Sequence, residues 1–324
     1  MKSTKKKRVI VFILLLAMTA SGFLSACGED EDTITIGIIQ FASHPSLDNC
    51  YEGIKKGLEA SGLKYKLDFQ IGNADPATCD TLATNMVAKN YDIIIAIATP
   101  AAISAYSAAE NSSTAVIFCA VSDPQAAGLV DNPNAPGGNC TGTSDQLDLK
   151  GQLEMIRAFQ PDAKRIGVMY TTSEANSVSH LQQFKALASQ YGFTVVEQGV
   201  QSAADIPAAA VALAAGSDCI NNFTDNNVVS NLEKVLEKTN EAKIPVYGSE
   251  VEQVKKGCLA SMSIDYVKLG EKTAEMAVQV LNGTDPGTIP VSFVTDSTPV
   301  VNPEAAALFG IEIPQAYSDA EKVN

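Results

Sequence analysis

The stretches GIIQFASHP (37–45) with KGLEASGLKYKLDFQIG (56–72), and GVMYTTSEA (167–175) with FKALASQYGFTVVEQG (184–199), repeat one pattern about 130 positions apart. Each reads as an apolar strand, a polar loop, an amphipathic helix closed by glycine, and a second strand. Gly62 follows Gly37 by 25 positions, and Gly192 follows Gly167 by 25 positions. A strand, a crossover helix and a further strand, made twice, predict two α/β lobes.

The repeat continues downstream of these stretches. IAIATPAA (95–102) aligns with NNFTDNNV (221–228), IFCAVSDP (117–124) with IPVYGSEV (244–251), and CTGTSD (140–145) with LASMSID (259–265). Near-continuous Val, Ile and Ala runs are typical of strands that are covered on both faces, and therefore of parallel sheets. Ligands of such sheets bind outside the carboxyl ends of the strands, which is where the polar residues recur. We therefore expect two lobes, each a doubly wound parallel sheet, that hold a ligand between facing strand ends.

The N-terminus has the pattern of an export signal. Basic residues precede the apolar run 9–18, which is too short to span a membrane, and small residues follow it. The tetrad Leu24-Ser25-Ala26-Cys27 resembles the lipobox of bacterial lipoproteins, in which the cysteine carries the lipid. We expect a signal peptide over 1–26, lipidation of Cys27 and an acidic tether over 27–32. An ordinary secreted protein with a chance cysteine here is the alternative.

Composition and charge exclude several classes of function. The 324-residue chain is 46% hydrophobic, as in globular proteins, and carries a net charge of −14. Without residues 1–26 it keeps 18 basic against 37 acidic residues, a net charge of −19 that argues against a nucleic-acid partner. Neither of the arginines that remain, Arg157 and Arg165, is placed at a strand end to hold a phosphate or dicarboxylate. His44 and His180 are far apart, so we expect no metal site. The sequence has no Gly-rich phosphate loop, nucleophile elbow or HExxH motif, so we also expect no cofactor and no catalysis. We expect His180 on a helix surface.

Six cysteines besides Cys27 leave the redox state open. They stand at 50, 79, 119, 140, 219 and 258. Three disulfides are possible in an exported chain, and buried free thiols that pack as small hydrophobic groups are the alternative.

The order of the segments predicts interleaved lobes. The first lobe takes 33–145 and the second begins at 146. The amphipathic helix after Asp265 returns to the first lobe over about 266–290, and the chain then crosses back to the second over about 291–315. Three crossings make a three-segment hinge about which the lobes can close.

Polar residues at the strand ends are the candidate ligand contacts. Acidic groups could hold a ligand ammonium, for example between Asp123 and Asp265 from the two sides, and hydroxyls, amides and helix starts could hold a carboxylate. Helix capping is the alternative for each residue. The candidates are His44, Thr99, Asp123, Thr143, Tyr170, Asn176, Ser177, Asp225, Glu250 and Asp265.

Several segments resemble one family closely. IGIIQFASHPSLD (36–48), IAIATPAA (95–102), VSDPQAAGLV (121–130), YTTSEANS (170–177), PVYGSE (245–250) and SIDYVKLG (263–270) are similar to segments of ABC-transporter substrate-binding lipoproteins of the tryptophan/tyrosine-binding type. The resemblance implies the periplasmic-binding-protein-like class I fold. It also implies a free amino acid, often aromatic, that is passed to an ABC permease. The residues on matching loops are Thr99, Asp123, Asn176, Ser177, Asp225, Glu250 and Asp265.

The expectation is thus a monomeric receptor that is anchored by lipid on the extracytoplasmic side of the cell membrane. A surface adhesin or structural lipoprotein without a tight ligand, and a secreted hydrolase, are the alternatives.

Overall fold

The structure, a computed structural model, describes residues 33–324, of which Thr35–Asn324 form one compact unit. The expected signal peptide, the tether and Cys27 lie outside the described residues. Within 33–324, no helix is both long and apolar enough to cross a membrane.

Strands and helices alternate along the chain as the sequence predicts. The strands are β1 (Ile34–Gln40), β2 (Tyr65–Ile71), β3 (Ile93–Ile97), β4 (Ala115–Cys119), β5 (Cys140–Ser144), β6 (Arg165–Thr171), β7 (Thr194–Val200), β8 (Cys219–Asn221), β9 (Val246–Tyr247), β10 (Ala260–Ser263), β11 (Ser292–Phe293), β12 (Thr298–Val301) and β13 (Glu321–Lys322). The helices are α1 (Pro45–Ala60), α2 (Pro76–Ala88), α3 (Thr99–Ala109), α4 (Leu149–Phe159), α5 (Ala175–Ala188), α6 (Ile206–Gly216), α7 (Asn226–Ser230), α8 (Leu232–Glu241), α9 (Val251–Lys255), α10 (Tyr266–Leu281) and α11 (Pro303–Phe309).

The first lobe is built on a six-stranded sheet in the order β11-β5-β4-β3-β1-β2. Its central strands pair in parallel, with Ile38 opposite Ile95 and Ile95 opposite Ile117. These strands are fully buried because helices cover both faces, which explains their continuous apolar sequence.

The second lobe contains a four-stranded parallel sheet in the order β7-β6-β8-β9. Beside it lies a three-stranded sheet, β10-β12-β13, in which β10 and β12 are antiparallel. The predicted α/β class with two parallel sheets is confirmed. The antiparallel pairing of β10 with β12 was not predicted, because β12 lies in a late segment of the chain whose sheet partner the sequence pattern does not identify.

The chain passes between the lobes three times, after β5, after β10 and after β11. The last strand on the first sheet is β11, so the chain leaves that lobe after Phe293.

Helix α10 packs against α1 with its backbone in close contact. A Cβ atom added at Gly53 would lie 2.1 Å from the carbonyl oxygen of Val267, and one at Gly270 would lie 2.2 Å from that of Cys50.

The six cysteines of the described region are all buried and all free. Burial raises the pKa of the Cys79 thiol to about 11. The thiols therefore pack as small hydrophobic groups, which is one of the two possibilities that the sequence leaves open.

Candidate ligand-binding cleft

The backbone at the carboxyl ends of the first-lobe strands adopts unusual conformations. Ala98 after β3 has a φ of 81°, Ala120 after β4 has 56°, and Ala74 after β2 has 58°. Residues other than glycine rarely occupy this region, and such strain concentrates at functional sites. The strained positions therefore mark the edge of the sheet that faces the second lobe.

Three helices begin at the facing strand ends without a side-chain cap, two in the first lobe and one, α5, in the second. The residues before α1, α3 and α5 are His44, Ala98 and Glu174, and none of them bonds the first turn of its helix through its side chain. The first N–H groups of these helices point away from the helix body and favour a negative charge. Each uncapped start can thus accept an anionic ligand group such as a carboxylate.

A cavity of about 340 Å³ lies between the two lobes. This volume is within the usual range for small-molecule sites. The first lobe contributes an apolar wall to it, and the second lobe contributes mainly polar groups. The lining residues are Phe41, Ala74, Pro76 and Pro100 from the first lobe, and Thr171, Ser173, Glu174, Gln201, Ser202, Ala203 and Asn227 from the second.

Glu174 is the carboxylate on the wall of this cavity, and its side chain is only 3% exposed. It accepts hydrogen bonds from the backbone and side-chain nitrogens of Asn226 at 3.0 and 2.7 Å, and from the backbone nitrogen of Asn227 at 3.1 Å. Burial, and then the neighbouring charge of Asp225, raise the pKa of Glu174 to about 8. Its neutral form is therefore favoured near pH 7, until a cation approaches.

Asp225 is fully buried beside Glu174 and caps α7. It accepts hydrogen bonds from the hydroxyls of Thr171 and Ser177, at 2.8 and 2.7 Å, and from the backbone nitrogen of Val228 at 2.9 Å. Burial raises the pKa of this carboxyl also. Among residues 33–324, no lysine or arginine forms an ion pair with Asp225 or Glu174. Of these two adjacent buried carboxyl groups without a counter-charge, Glu174 lies on the cavity wall and is the candidate partner for a ligand cation.

Polar side-chain atoms from both lobes are buried near the facing strand ends without a hydrogen-bond partner in the described part of the chain. They are Gln40 Oε1, His44 Nδ1 and Thr99 Oγ1 from the first lobe, and Asn176 Oδ1 and Thr224 Oγ1 from the second. Buried polar groups in native proteins are normally satisfied by protein, water or ligand, so these atoms are available for hydrogen bonds to a polar ligand.

His44 bridges the two lobes. Its Nε2 lies 3.3 Å from the Oδ1 of Asn226, so that nitrogen carries the proton when the contact is a hydrogen bond. Burial lowers the pKa of His44 to about 4, and the imidazole is neutral at physiological pH. In this tautomer, Nδ1 is left as an acceptor for a ligand N–H.

Five predicted residues lie at the buried strand ends around the cleft. They are His44, Thr99, Asn176, Ser177 and Asp225, all buried. Ser177 and Asp225 bond each other, so Ser177 positions the carboxyl group. Contact of these residues with a ligand stays a prediction.

None of the ten predicted residues is among those that line the cavity, and the other five have structural contacts. Thr143 shares a hydrogen bond of 2.7 Å with Thr273 beneath α10, and Tyr170 packs against the second-lobe core. Glu250 caps α9, and burial raises its pKa to about 7.

Neither Asp123 nor Asp265, which were expected to hold the ligand ammonium between them, lines the cavity. Asp265 caps α10, its side chain is 49% exposed, and it pairs with Lys268 at 3.6 Å. Asp123 bonds side chains of α5.

The expectation that His180 lies on a helix surface was wrong. Its side chain is 2% exposed and packs against Phe223. Asn176, His180 and Phe184 follow one another at intervals of four residues, and this spacing places all three on the buried face of α5.

Sequence reasoning missed several residues at the cleft. Gln40, Glu174, Asn226, Asn227 and the segment 201–203 were not among the candidates. One available signal was position, since 201–203 follows β7 at the same sheet edge as the other loops.

Comparisons with known proteins agree with this geometry. The family model "ABC transporter substrate binding protein" matches residues 35–323. A "Tyrosine-binding protein" from Clostridioides difficile (strain R20291) is 35% identical over 315 residues, which is 92% of this chain and 91% of that protein.

Two solved structures of similar identity differ in how well they match. An ABC domain in complex with L-Trp, from Streptococcus pneumonia, is 37% identical, covers 90% of this chain and 100% of its own, and has a TM-score of 0.87. A ligand-free, open substrate-binding protein with adhesive properties from Clostridium difficile is 38% identical, covers 90% and 99%, and has a TM-score of 0.69. The lobes here are therefore arranged more like those of the ligand-bound relative than those of the open one. The sequence, the fold and the cleft between the lobes of this protein together show that the chain belongs to the ABC transporter substrate-binding protein family.

Proposed function

We propose that this protein captures a free amino acid with an aromatic or apolar side chain between its lobes and delivers it to an ABC permease. The observation that carries this proposal is the cavity itself. It combines a buried carboxyl without a counter-charge, Glu174, with an apolar wall formed by Phe41, Pro76 and Pro100. An amino acid can make both interactions, because its ammonium group can pair with the Glu174 carboxyl and its apolar side chain can pack against the apolar wall.

The carboxylate of the ligand has matching groups as well. The uncapped start of α3 follows Ala98, and the unpaired hydroxyl of Thr99 lies in its first turn. A helix start with free N–H groups and a hydroxyl binds a carboxylate without an arginine. The two relatives described above, one named as a tyrosine-binding protein and one solved with L-Trp, support an aromatic side chain.

Calorimetry with the twenty free amino acids tests the ligand class. We expect at least one aromatic or apolar amino acid to bind with a Kd below about 10 µM, or roughly 7 kcal/mol. Sugars, inorganic phosphate and succinate are the matched negative ligands. Tight binding of a sugar, with no binding of any amino acid, would contradict the proposal.

We infer that the protein acts without catalysis and as a monomer, tethered to the extracytoplasmic face of the cell membrane by lipid on Cys27. The basic and apolar N-terminal pattern and the lipobox-like tetrad support the tether. Replacement of Cys27 by Ala should release the protein from the membrane fraction, and Cys50→Ala is the control that keeps the tether. Retention of the Cys27 variant in the membrane would contradict the anchor.

An adhesive role is the second candidate function. One relative at 38% identity is described as a substrate-binding protein with adhesive properties. Adherence of cells that express a variant unable to bind amino acids would separate the two roles. If adherence is unchanged in that variant, adhesion does not depend on ligand capture.

A further inference from the structure

Asp123 connects the two lobes at a point away from the cavity wall. It lies in the loop that follows β4 in the first lobe. Its Oδ2 accepts hydrogen bonds from Ser179 Oγ at 2.6 Å and from Gln183 Nε2 at 3.3 Å, and both donors are on α5 of the second lobe. Gln183 Nε2 also donates to Ser179 Oγ at 3.0 Å, so the three side chains form one closed network.

The two oxygens of Asp123 have separate partners. Oδ1 accepts from the backbone nitrogen of Ala126 at 3.0 Å and holds the loop of the first lobe in shape. Oδ2 is therefore directed at the second lobe by a turn that does not depend on the other lobe. Both of its partners are neutral donors, and hydrogen bonds from such donors to a charged carboxylate are stronger than neutral pairs.

The network stands beside an opening between the lobes. A second cavity of about 410 Å³ is lined by Ala126 of the first lobe and by residues at the start of α5, including Ser179. Ser173 lines this cavity and also the ligand cavity. Separation of Asp123 from Ser179 would move Ala126 of the first lobe away from Ser179, both of which line the second cavity.

We propose that Asp123, Ser179 and Gln183 form a latch that holds the lobes closed over the ligand and sets the ligand's residence time, without contact to the ligand. The latch rests on the proposed function, because it acts on the closed, ligand-bound form. Its bonds join groups on different lobes and are lost when the lobes separate. The latch therefore opposes ligand release and has no effect on the first encounter with the ligand.

Stopped-flow fluorescence with L-tryptophan tests the latch directly. The chain contains no tryptophan, so the fluorescence of the ligand reports binding without interference. Ser179→Ala removes the main donor and leaves the turn at Asp123 intact, and Asp123→Asn removes the charge and keeps an acceptor. Ser189→Ala, at the far end of the same helix and exposed, is the matched control.

We expect koff to rise about tenfold in Ser179→Ala and by a similar factor in Asp123→Asn, while kon stays within twofold of the wild type. The double variant should be no worse than either single variant, and the melting temperature without ligand should be unchanged. An unchanged koff in Ser179→Ala would overturn the proposal. A large loss of ligand affinity in Asp123→Asn but not in Ser179→Ala, with additive effects on koff in the double variant, would overturn the proposal in favour of direct contact between Asp123 and the ligand.

Ligand binding by the wild type separates failure of the latch from failure of the proposed function. If the wild type binds no amino acid, the proposed function fails, and the latch, which acts on the ligand-bound form, fails with it. If an amino acid other than L-tryptophan binds, koff is measured with that one. If the wild type binds and koff in Ser179→Ala equals that of the Ser189→Ala control, the latch alone is overturned.

Discussion

Replacement of Glu174 by Gln should weaken ligand binding and remove its dependence on pH. The side chain keeps its size. Asn226 and Asn227 donate their backbone N–H groups to different carboxyl oxygens, so the one oxygen of Gln can accept from only one of them. The melting temperature of the ligand-free variant is therefore measured beside its Kd. Loss of a charge-assisted bond to the ligand ammonium in a buried site costs about 1.5–3 kcal/mol, or roughly 10- to 150-fold in Kd. We expect this loss at pH 7.5.

The pH dependence follows from the raised pKa of Glu174, about 8 in the free protein. An ammonium placed beside the carboxyl lowers that pKa, so binding releases a proton and affinity increases as pH rises toward 8. The increase is at most about tenfold per pH unit in the range from pH 5.5 to 7.5. His44, with its pKa lowered to about 4, stays neutral throughout this range.

Calorimetry at pH 5.5, 6.5 and 7.5, with the tightest amino acid from the panel, gives both quantities. Asp265→Asn is the matched control, since Asp265 also precedes a helix but is half exposed and distant from the cavity wall. That control should bind like wild type at each pH. A Glu174→Gln variant with wild-type affinity and the same pH slope would refute the assignment of the ammonium to this carboxyl.

Three further predictions concern stability and are read from thermal unfolding of the ligand-free protein. Gly270→Ala should lower the melting temperature by several degrees or prevent folding, because its Cβ would lie 2.2 Å from a backbone oxygen, whereas Gly216→Ala, with 3.7 Å to its nearest atom, should be neutral or slightly stabilising. Asp225→Asn should cost about 1–3 kcal/mol, since an amide cannot satisfy the Thr171, Ser177 and Val228 donors together, and an unchanged melting temperature would contradict that role. The pKa of Glu250 is raised to about 7, so its contribution to the free energy of unfolding is full below about pH 4.5 and is lost as pH rises through 7. Glu250→Gln should therefore reduce the change of melting temperature between pH 4.5 and 7. The same pH dependence in the variant and the wild type would contradict this role.

The sequence predicted the lobes and the location of the cleft because both depend on local patterns. Continuous apolar runs such as IIIAI (93–97) identify buried parallel strands, and the carboxyl ends of these strands must share one edge. Thr99 and Asp225 were selected as candidates in this way, since each lies shortly after the end of a strand, and their contact with a ligand stays a prediction.

The sequence could not rank the carboxylates, because burial depends on how the lobes meet. Glu174 and Asp265 look alike in sequence, as acidic residues just before a helix. In the structure one is 3% exposed on the cavity wall, and the side chain of the other is 49% exposed in solvent. Asp123 was predicted to bind ligand because it, too, is an acidic residue that follows a strand. In the structure it accepts hydrogen bonds from α5, and the sequence could not predict these partners because they depend on the position of the opposite lobe.

The contact between α1 and α10 has a consequence for how the molecule is made. Gly53 and Gly270 allow the two helices to touch, yet more than two hundred residues separate them in the chain. During synthesis the first lobe lacks this covering helix and its edge strand β11 until almost the entire polypeptide has been produced. Contacts of such sequence separation form slowly. The interleaved chain order thus delays completion of the first lobe until residues 266–293 have been synthesised.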